Sequence, residues 1–298
     1  MVTPLLEADT LDPVGLERLV EHILAGGVHG LFILGTVGEA PALSHRARHD
    51  LVERVCAQVH RRVPVLVGLI DTSVIEALNL ARQAAAAGAD GLVLTAPYYY
   101  PASQADLLAY LRCVVPQLPL PVLLYNIPDR PAPVFDVETV KAASDMPNIV
   151  GLKDSSANMI YFRQLQSAME DQPDFSLLMG PEMLLAEAVL LGAHGGVSGG
   201  ANLLPRLYVD LYEAAHRRDI AQAQALHKTV MKLKATLFNV SRERSGFLRA
   251  LKCALSCLGI CSDFVAEPFR RFDEPNRQRV QQYLTELGIT KNGLTRTT

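Results

Sequence analysis

"IVGLKDSS", residues 149–156, runs four mostly apolar residues straight into Lys153. An apolar run of this length suits a parallel strand buried on both faces. Strand alternation sends Leu152 and Lys153 to opposite faces, so the lysine can point into the interior of a curled sheet. Comparable runs recur along the chain: "VTPL" (2–5), "LFILG" (31–35), "VPVLVGL" (63–69), "GLVLTAP" (91–97), "PVLLYNI" (121–127), "FSLLMG" (175–180) and "HGGVSGG" (194–200). Helical patterns lie between them. "LDPVGLERLVEHILAGG" starts on Asp12-Pro13 and ends on glycines, which are the usual start and stop signals. Ser73 with Glu76 three residues on predicts a capping box. "AEAVLLGAH" is a shorter helix ended by Gly192.

Eight strands alternating with helices, about 28 residues apart and without a linker, predict a (β/α)8 TIM barrel. A doubly wound sheet is the alternative, but no GxGxxG follows the first strand. Residues 1–204 are expected to hold the barrel strands and most helices. Residues 205–298 are expected to supply the last barrel helix and a C-terminal helical extension, helical throughout.

The chain has 298 residues, 49% of them hydrophobic and 20% charged, with a net charge of −3. That composition is globular and offers no basic excess for nucleic acid. No apolar run reaches the roughly 20 residues needed to span a bilayer. "MVTPLLEADT" has neither the basic region nor the apolar stretch of a secretory signal, so a cytoplasmic location is expected. Cys253, Cys257 and Cys261 recur every four residues. They read as one face of a helix rather than as metal ligands. His45 and His49 read the same way, and no metal is expected.

Barrel chemistry sits where strands end. The run at 31–35 ends in "GTVGEA", whose glycines leave backbone N–H groups around Thr36 and Val37 open to an anion. The run at 91–97 leads into Tyr98, Tyr99 and Tyr100. "YNIPDR" puts Tyr125 at a strand end and Arg130 in the following loop. A phenol there can relay protons, and a guanidinium can clamp a carboxylate. Burial pushes an amine toward its neutral, nucleophilic form, which attacks carbonyls; a lysine merely paired with Asp154 is the alternative for Lys153. The glycine-rich "GGVSGGAN" could instead hold phosphate.

"GTVGEAPALS", "YYYPASQ", "YNIPDR" and "GLKDSS", in this order, resemble the dihydrodipicolinate synthase and N-acetylneuraminate lyase family over nearly the whole chain. The resemblance implies a cofactor-free Schiff-base lyase or synthase acting on pyruvate or a related 2-oxo acid and an aldehyde. The family's chemistry is most like dihydrodipicolinate synthase; a 2-oxo-3-deoxy sugar acid aldolase or dehydratase, or a sialic acid lyase, is the alternative. A phosphate-binding barrel enzyme and a non-catalytic 2-oxo acid sensor are rivals of other classes. The resemblance makes Lys153 the imine-forming lysine, Tyr125 the proton shuttle and Thr36 its link to a second tyrosine. That tyrosine is Tyr99, which reaches a neighbouring subunit's site in a dimer or tetramer. Thr36 and Val37 N–H groups would hold the 2-oxo acid carboxylate, Arg130 the second substrate's carboxylate, and Gly180 and Ser198 would complete the substrate-binding set. Val37 stands where synthases carry a second threonine, "PAP" follows Arg130 where they usually carry Thr-Gly, and "SGGAN" replaces their Ser-Val-Thr-Ala-Asn. His45 and Glu76 match the synthases' lysine pocket, but Thr72 replaces its asparagine, so feedback by lysine is not expected.

Overall fold

Seven of the eight apolar runs become strands of one parallel sheet whose spatial order follows the sequence. The computed structural model describes residues 1–99, 101–128 and 133–294. A hairpin of β1 (Leu5–Glu7) and β2 (Thr10–Leu11) precedes the sheet. The sheet strands are β3 (Leu31–Ile33), β4 (Val65–Leu69), β5 (Gly91–Thr95), β6 (Val122–Asn126), β7 (Ile149–Asp154), β8 (Ser176–Met179) and β9 (Gly195–Gly196). Helices α1 (Pro13–Ala25), α2 (His45–Val59), α3 (Val74–Ala87), α4 (Gln104–Val114), α5 (Val137–Ser144), α6 (Met159–Ala168), α7 (Leu185–Leu190) and α8 (Pro205–His216) alternate with them. Helices α9 (Ile220–Ala235), α10 (Gly246–Cys257) and α11 (Glu274–Glu286) follow, then a hairpin of β10 (Ile289–Thr290) and β11 (Gly293–Leu294). Among the described residues no helix is long and apolar enough to cross a membrane.

The eighth expected strand, "VTPL", does not join the sheet. Proline at position 4 has no N–H to give a ladder, the Val2 N–H is taken by the Asn202 side chain at 2.8 Å, and Pro4 O accepts from Asp12 N. The sheet is therefore curled but not closed by hydrogen bonds. Both of its edges, Leu31 and Phe32 of β3 and Gly195 and Gly196 of β9, line a single cavity together with Met1. The tail also departs from the expectation of helix throughout: residues 258–273 carry no α-helix, and β10 and β11 close the described chain. Cys261 accordingly lies beyond the end of α10, so the three cysteines do not share one helix face.

Helix boundaries follow the sequence signals closely. Asp12 caps α1 by accepting from Gly15 N at 2.8 Å, with Pro13 at its first position. Ser73 caps α3 by accepting from Glu76 N, but the reciprocal half of the predicted box is absent. Asp71 accepts the Ser73 N–H instead, and the Glu76 carboxylate turns to His45 Nδ1 at 3.3 Å.

Pairing register sorts the strand residues onto two faces. Leu92, Leu94, Val122, Leu124 and Leu152 join the main core beneath the helices. Phe32, Leu66, Val93, Leu123, Tyr125 and Leu178 form a second cluster on the inner face of the curl. In β7 the pairing jumps from Val122↔Ile149 to Leu123↔Gly151, so Val150 is an extra, exposed residue. This bulge sets the parity that turns Gly151 and Lys153 inward. Gly151 must be small: a Cβ there would lie 2.3 Å from Ser176 O and 2.7 Å from Leu123 Cδ2. Gly151→Ala is expected to destabilise the fold by about 1–3 kcal/mol, the usual range for overpacking. A urea midpoint equal to the parent's would refute this.

Candidate active site

The register that pairs Tyr125 with Lys153 across β6 and β7 puts both side chains on the inner face at the carboxyl ends of their strands. Both are buried, Tyr125 to 4% and Lys153 to 6% exposure. The Lys153 ammonium nitrogen lies 3.9 Å from the Tyr125 ring centre and 4.8 Å from that of Phe32. Two aromatic faces thus shield the amine from bulk water while leaving it in a cavity of about 220 Å³. Asp154 falls on the opposite face, fully buried, and takes hydrogen bonds from Ser156 N at 3.0 Å and Ser156 Oγ at 2.7 Å. The alternative of a Lys153–Asp154 ion pair is therefore not what the strand builds.

Tyr125 Oη lies 3.2 Å from Thr36 Oγ1. Burial pushes the Tyr125 phenol up, but the Lys153 charge and hydrogen bonds with Lys153, Thr36 and Ser155 outweigh it, and the net direction is down. Thr36 and Val37 sit on the turn after β3 and line the same cavity. Among the described residues, no hydrogen bond takes the backbone N–H of either one. Both residues line the cavity that holds the Lys153 amine, and uncommitted backbone donors beside an amine are what a small carboxylate needs.

Gly180 and Ser198 also line the cavity. Gly180 follows β8, and a Cβ there would come within 2.0 Å of Ser155 Oγ. The glycine is what lets Ser155 approach Tyr125. Thus Lys153, Tyr125, Thr36, Val37, Gly180 and Ser198 are brought together. Tyr99 is not: it lies outside the cavity wall and is 74% exposed. Arg130 and Tyr100 lie outside the described residues.

Sequence reading missed several wall residues: Phe32, Ser155, Glu182, Asn202, Lys234 and Phe247. Ser155 had a signal, since it follows Lys153 by two positions and shares its parity. Glu182 had none. Its carboxylate accepts from Gly200 N at 2.7 Å and Tyr208 Oη at 2.9 Å, and burial raises its pKa. The Gly200 N–H, in the glycine-rich stretch that could have held phosphate, is therefore already taken by a carboxylate.

The turn bearing Thr36 is itself anchored. Glu39 adopts a left-handed backbone (φ 58°) and its buried carboxylate is paired with Lys252 of α10, a side chain with no exposed surface. Ala266 N donates to the other Glu39 oxygen at 2.8 Å. Burial lowers the Lys252 pKa, and Glu39 opposes that shift.

A buried amine and phenol at the carboxyl ends of adjacent parallel strands define an α/β enzyme with its site at the strand ends. The profile of the Dihydrodipicolinate synthetase family matches residues 1–287, and the chain belongs to that family. It is similar in structure to the dihydrodipicolinate synthase of Bacteroides thetaiotaomicron, with a TM-score of 0.94, 48% identity and 96% of each chain covered. An Escherichia coli K12 prophage protein of the same family, solved in complex with pyruvate, gives a TM-score of 0.90 at 32% identity over 97% of this chain and 96% of its own. A probable 2-dehydro-3-deoxy-D-pentonate aldolase of Escherichia coli K12 is 33% identical over 283 residues, covering 94% of this chain and 93% of its own.

Proposed function

We propose that this chain is a pyruvate-dependent carbon–carbon lyase or synthase that works through an imine on Lys153. The observation that carries the reading is the convergence of the Lys153 amine, the Tyr125 phenol and the Thr36 hydroxyl in one cavity. The amine attacks C2 of pyruvate, and loss of water gives the imine. The imine draws electrons from the methyl carbon, which loses a proton and becomes a nucleophilic enamine. The enamine adds to an aldehyde carbon, and water then releases the product and restores the amine. Run backward, the same steps cleave a 4-hydroxy-2-oxo acid, the direction that the likeness to the Escherichia coli aldolase supports.

Tyr125, linked to Thr36, moves protons to and from the adduct, and the unpaired N–H groups of Thr36 and Val37 hold the pyruvate carboxylate. Arg130, from the resemblance alone, is the candidate for the second substrate's carboxylate. The curled sheet and its alternating helices support a (β/α)8 architecture, with residues 205–298 as last barrel helix and extension. The exposed Tyr99 supports an assembly in which it reaches a neighbouring copy.

Borohydride reduction in the presence of pyruvate tests the reading. The peptide holding Lys153 should gain a pyruvate-derived mass, and Lys153→Ala should carry none. A label that persists in Lys153→Ala would overturn the assignment.

A further inference from the structure

Cys253 and Cys257 stand four residues apart on α10, which puts both sulfurs on one face of the helix. Both are free thiols, and they are unequally placed. Cys253 is 1% exposed, whereas Cys257, the last residue of the helix, is only half-buried. Helix α11 packs against α10 and brings Arg277 and Gln281, themselves one turn apart, to this face. The Cys253 thiol donates a hydrogen bond to Cys257, the Gln281 side chain adds another, and the Arg277 charge lies close by. Arg277 is held in place by Asp263, whose Oδ2 accepts from Nη1 at 2.7 Å. None of these residues lines the Lys153 cavity, so the cluster is separate from the lyase chemistry.

The surroundings give the two thiols different roles. The hydrogen bond from Cys253, the Arg277 charge and Gln281 together outweigh burial and the Asp263 charge, and bring the Cys257 thiol down to about 7. Cys253 is pushed up, first by giving that hydrogen bond and then by burial. The outer sulfur is thus the one that becomes a thiolate, the nucleophilic form, and the inner one keeps its proton. Cys261 lies beyond the helix, and burial pushes its thiol up to about 12.

We propose that Cys257 is a peroxide-reactive thiol and Cys253 its resolving partner, so that hydrogen peroxide closes a reversible disulfide across the last turn of α10. The Cys257 thiolate attacks one peroxide oxygen; an S–O bond forms, the O–O bond breaks, and the leaving hydroxide takes a proton to become water. Cys257 is then a sulfenic acid. The Cys253 sulfur attacks the Cys257 sulfur, and the displaced hydroxide leaves as water with the Cys253 proton. Two thiols are oxidised and one peroxide is reduced to two waters. Four residues of α-helix separate the Cα atoms by about 6 Å, inside the roughly 4.4–6.8 Å of disulfides. The Cβ atoms, about 5–6 Å apart on such a face, must approach to about 4 Å, so the last turn tightens. A helix end yields most easily to that: α10 stops at Leu258, and Gly259 takes a left-handed backbone (φ 69°). A bond closed under strain is readily reduced by a dithiol.

Peptide mass spectrometry of the full chain after hydrogen peroxide at pH 7, with free thiols then alkylated in denaturant, tests this. The peptide holding both cysteines should lose two hydrogens, Cys253 and Cys257 should escape alkylation together, and dithiothreitol should restore both. Cys261→Ala should still form the bond. Cys253→Ala should instead carry a dimedone adduct on Cys257, the mark of a sulfenic acid with no thiol to resolve it. Cys257→Ala should show neither bond nor adduct at Cys253. The proposal is overturned if Cys253 and Cys257 stay reduced while the exposed Cys113 is oxidised, if the bond persists in Cys257→Ala, or if it is lost in Cys261→Ala.

Discussion

Tyr125→Phe is expected to lower kcat by about 10²–10⁴-fold, the usual contribution of a general acid–base group, while pyruvate still labels Lys153. The substitution removes one oxygen and keeps the ring that covers the Lys153 amine at 3.9 Å. Capture of pyruvate depends on the amine and should persist. The later proton transfers depend on the phenol, which Thr36 Oγ1 holds at 3.2 Å. A second readout is the pH profile. Burial raises the phenol pKa, but Lys153, Thr36 and Ser155 together bring it below its ordinary value. A phenol donates its proton only below its pKa, so the basic limb of kcat should begin below the roughly 10 of a free tyrosine. That limb should vanish in Tyr125→Phe. A kcat near the parent's would assign the proton to another group.

Lys252→Met is expected to destabilise the protein by about 3–5 kcal/mol, the range for removing one partner of a buried ion pair. Lys252 has no exposed surface and Glu39 is 3% exposed, so neither charge can turn to water when its partner is lost. The methionine keeps the length of the stem and packs in its place. What remains is a buried carboxylate with one backbone donor, Ala266 N. Glu39→Gln in the same background should recover part of the loss, since it removes the orphaned charge. Urea unfolding of the two single variants and the double variant measures this as a coupling energy. Additive losses would show that the pair is not an energetic unit. The turn bearing Thr36 hangs on this pair, so kcat should fall in Lys252→Met as well.

The local part of this structure was legible in the sequence. Seven strands appear at the apolar runs, and Asp12, Ser73 and Gly192 mark helix ends, because strand period and capping depend on near neighbours. Lys153 and Tyr125 were found because each ends its run on the inner parity. What failed was whatever depends on competition from afar. "VTPL" looks like a strand until Asn202 takes the Val2 N–H across the fold. Glu76 looks like half of a capping box until His45 draws its carboxylate away. Lys252 reads as an ordinary surface lysine on a helix, yet it pairs with Glu39 across 213 residues of sequence. No local pattern announces such a pair.

One side chain clasps both described ends of the segment that contains Arg130. Asn126 donates to Phe135 O at 3.1 Å and accepts from Phe135 N at 3.0 Å, and Tyr161 Oη adds a bond to the same Phe135 O at 2.6 Å. These bonds lie on the face away from Lys153, so the clasp and the covalent chemistry share no atoms. Lengthening a clasped loop costs little, since each doubling adds only about 0.6 kcal/mol of closure entropy. Evolution can therefore treat the stretch between Asn126 and Phe135 as an exchangeable cassette. Ile127, at the described start of the stretch, lines a cavity that shares Thr36 and Val37 with the Lys153 site, so a change at that position can alter the pocket while the amine and the phenol stay as they are. In a lineage that diversifies, this loop should drift fastest in composition and Asn126 slowest.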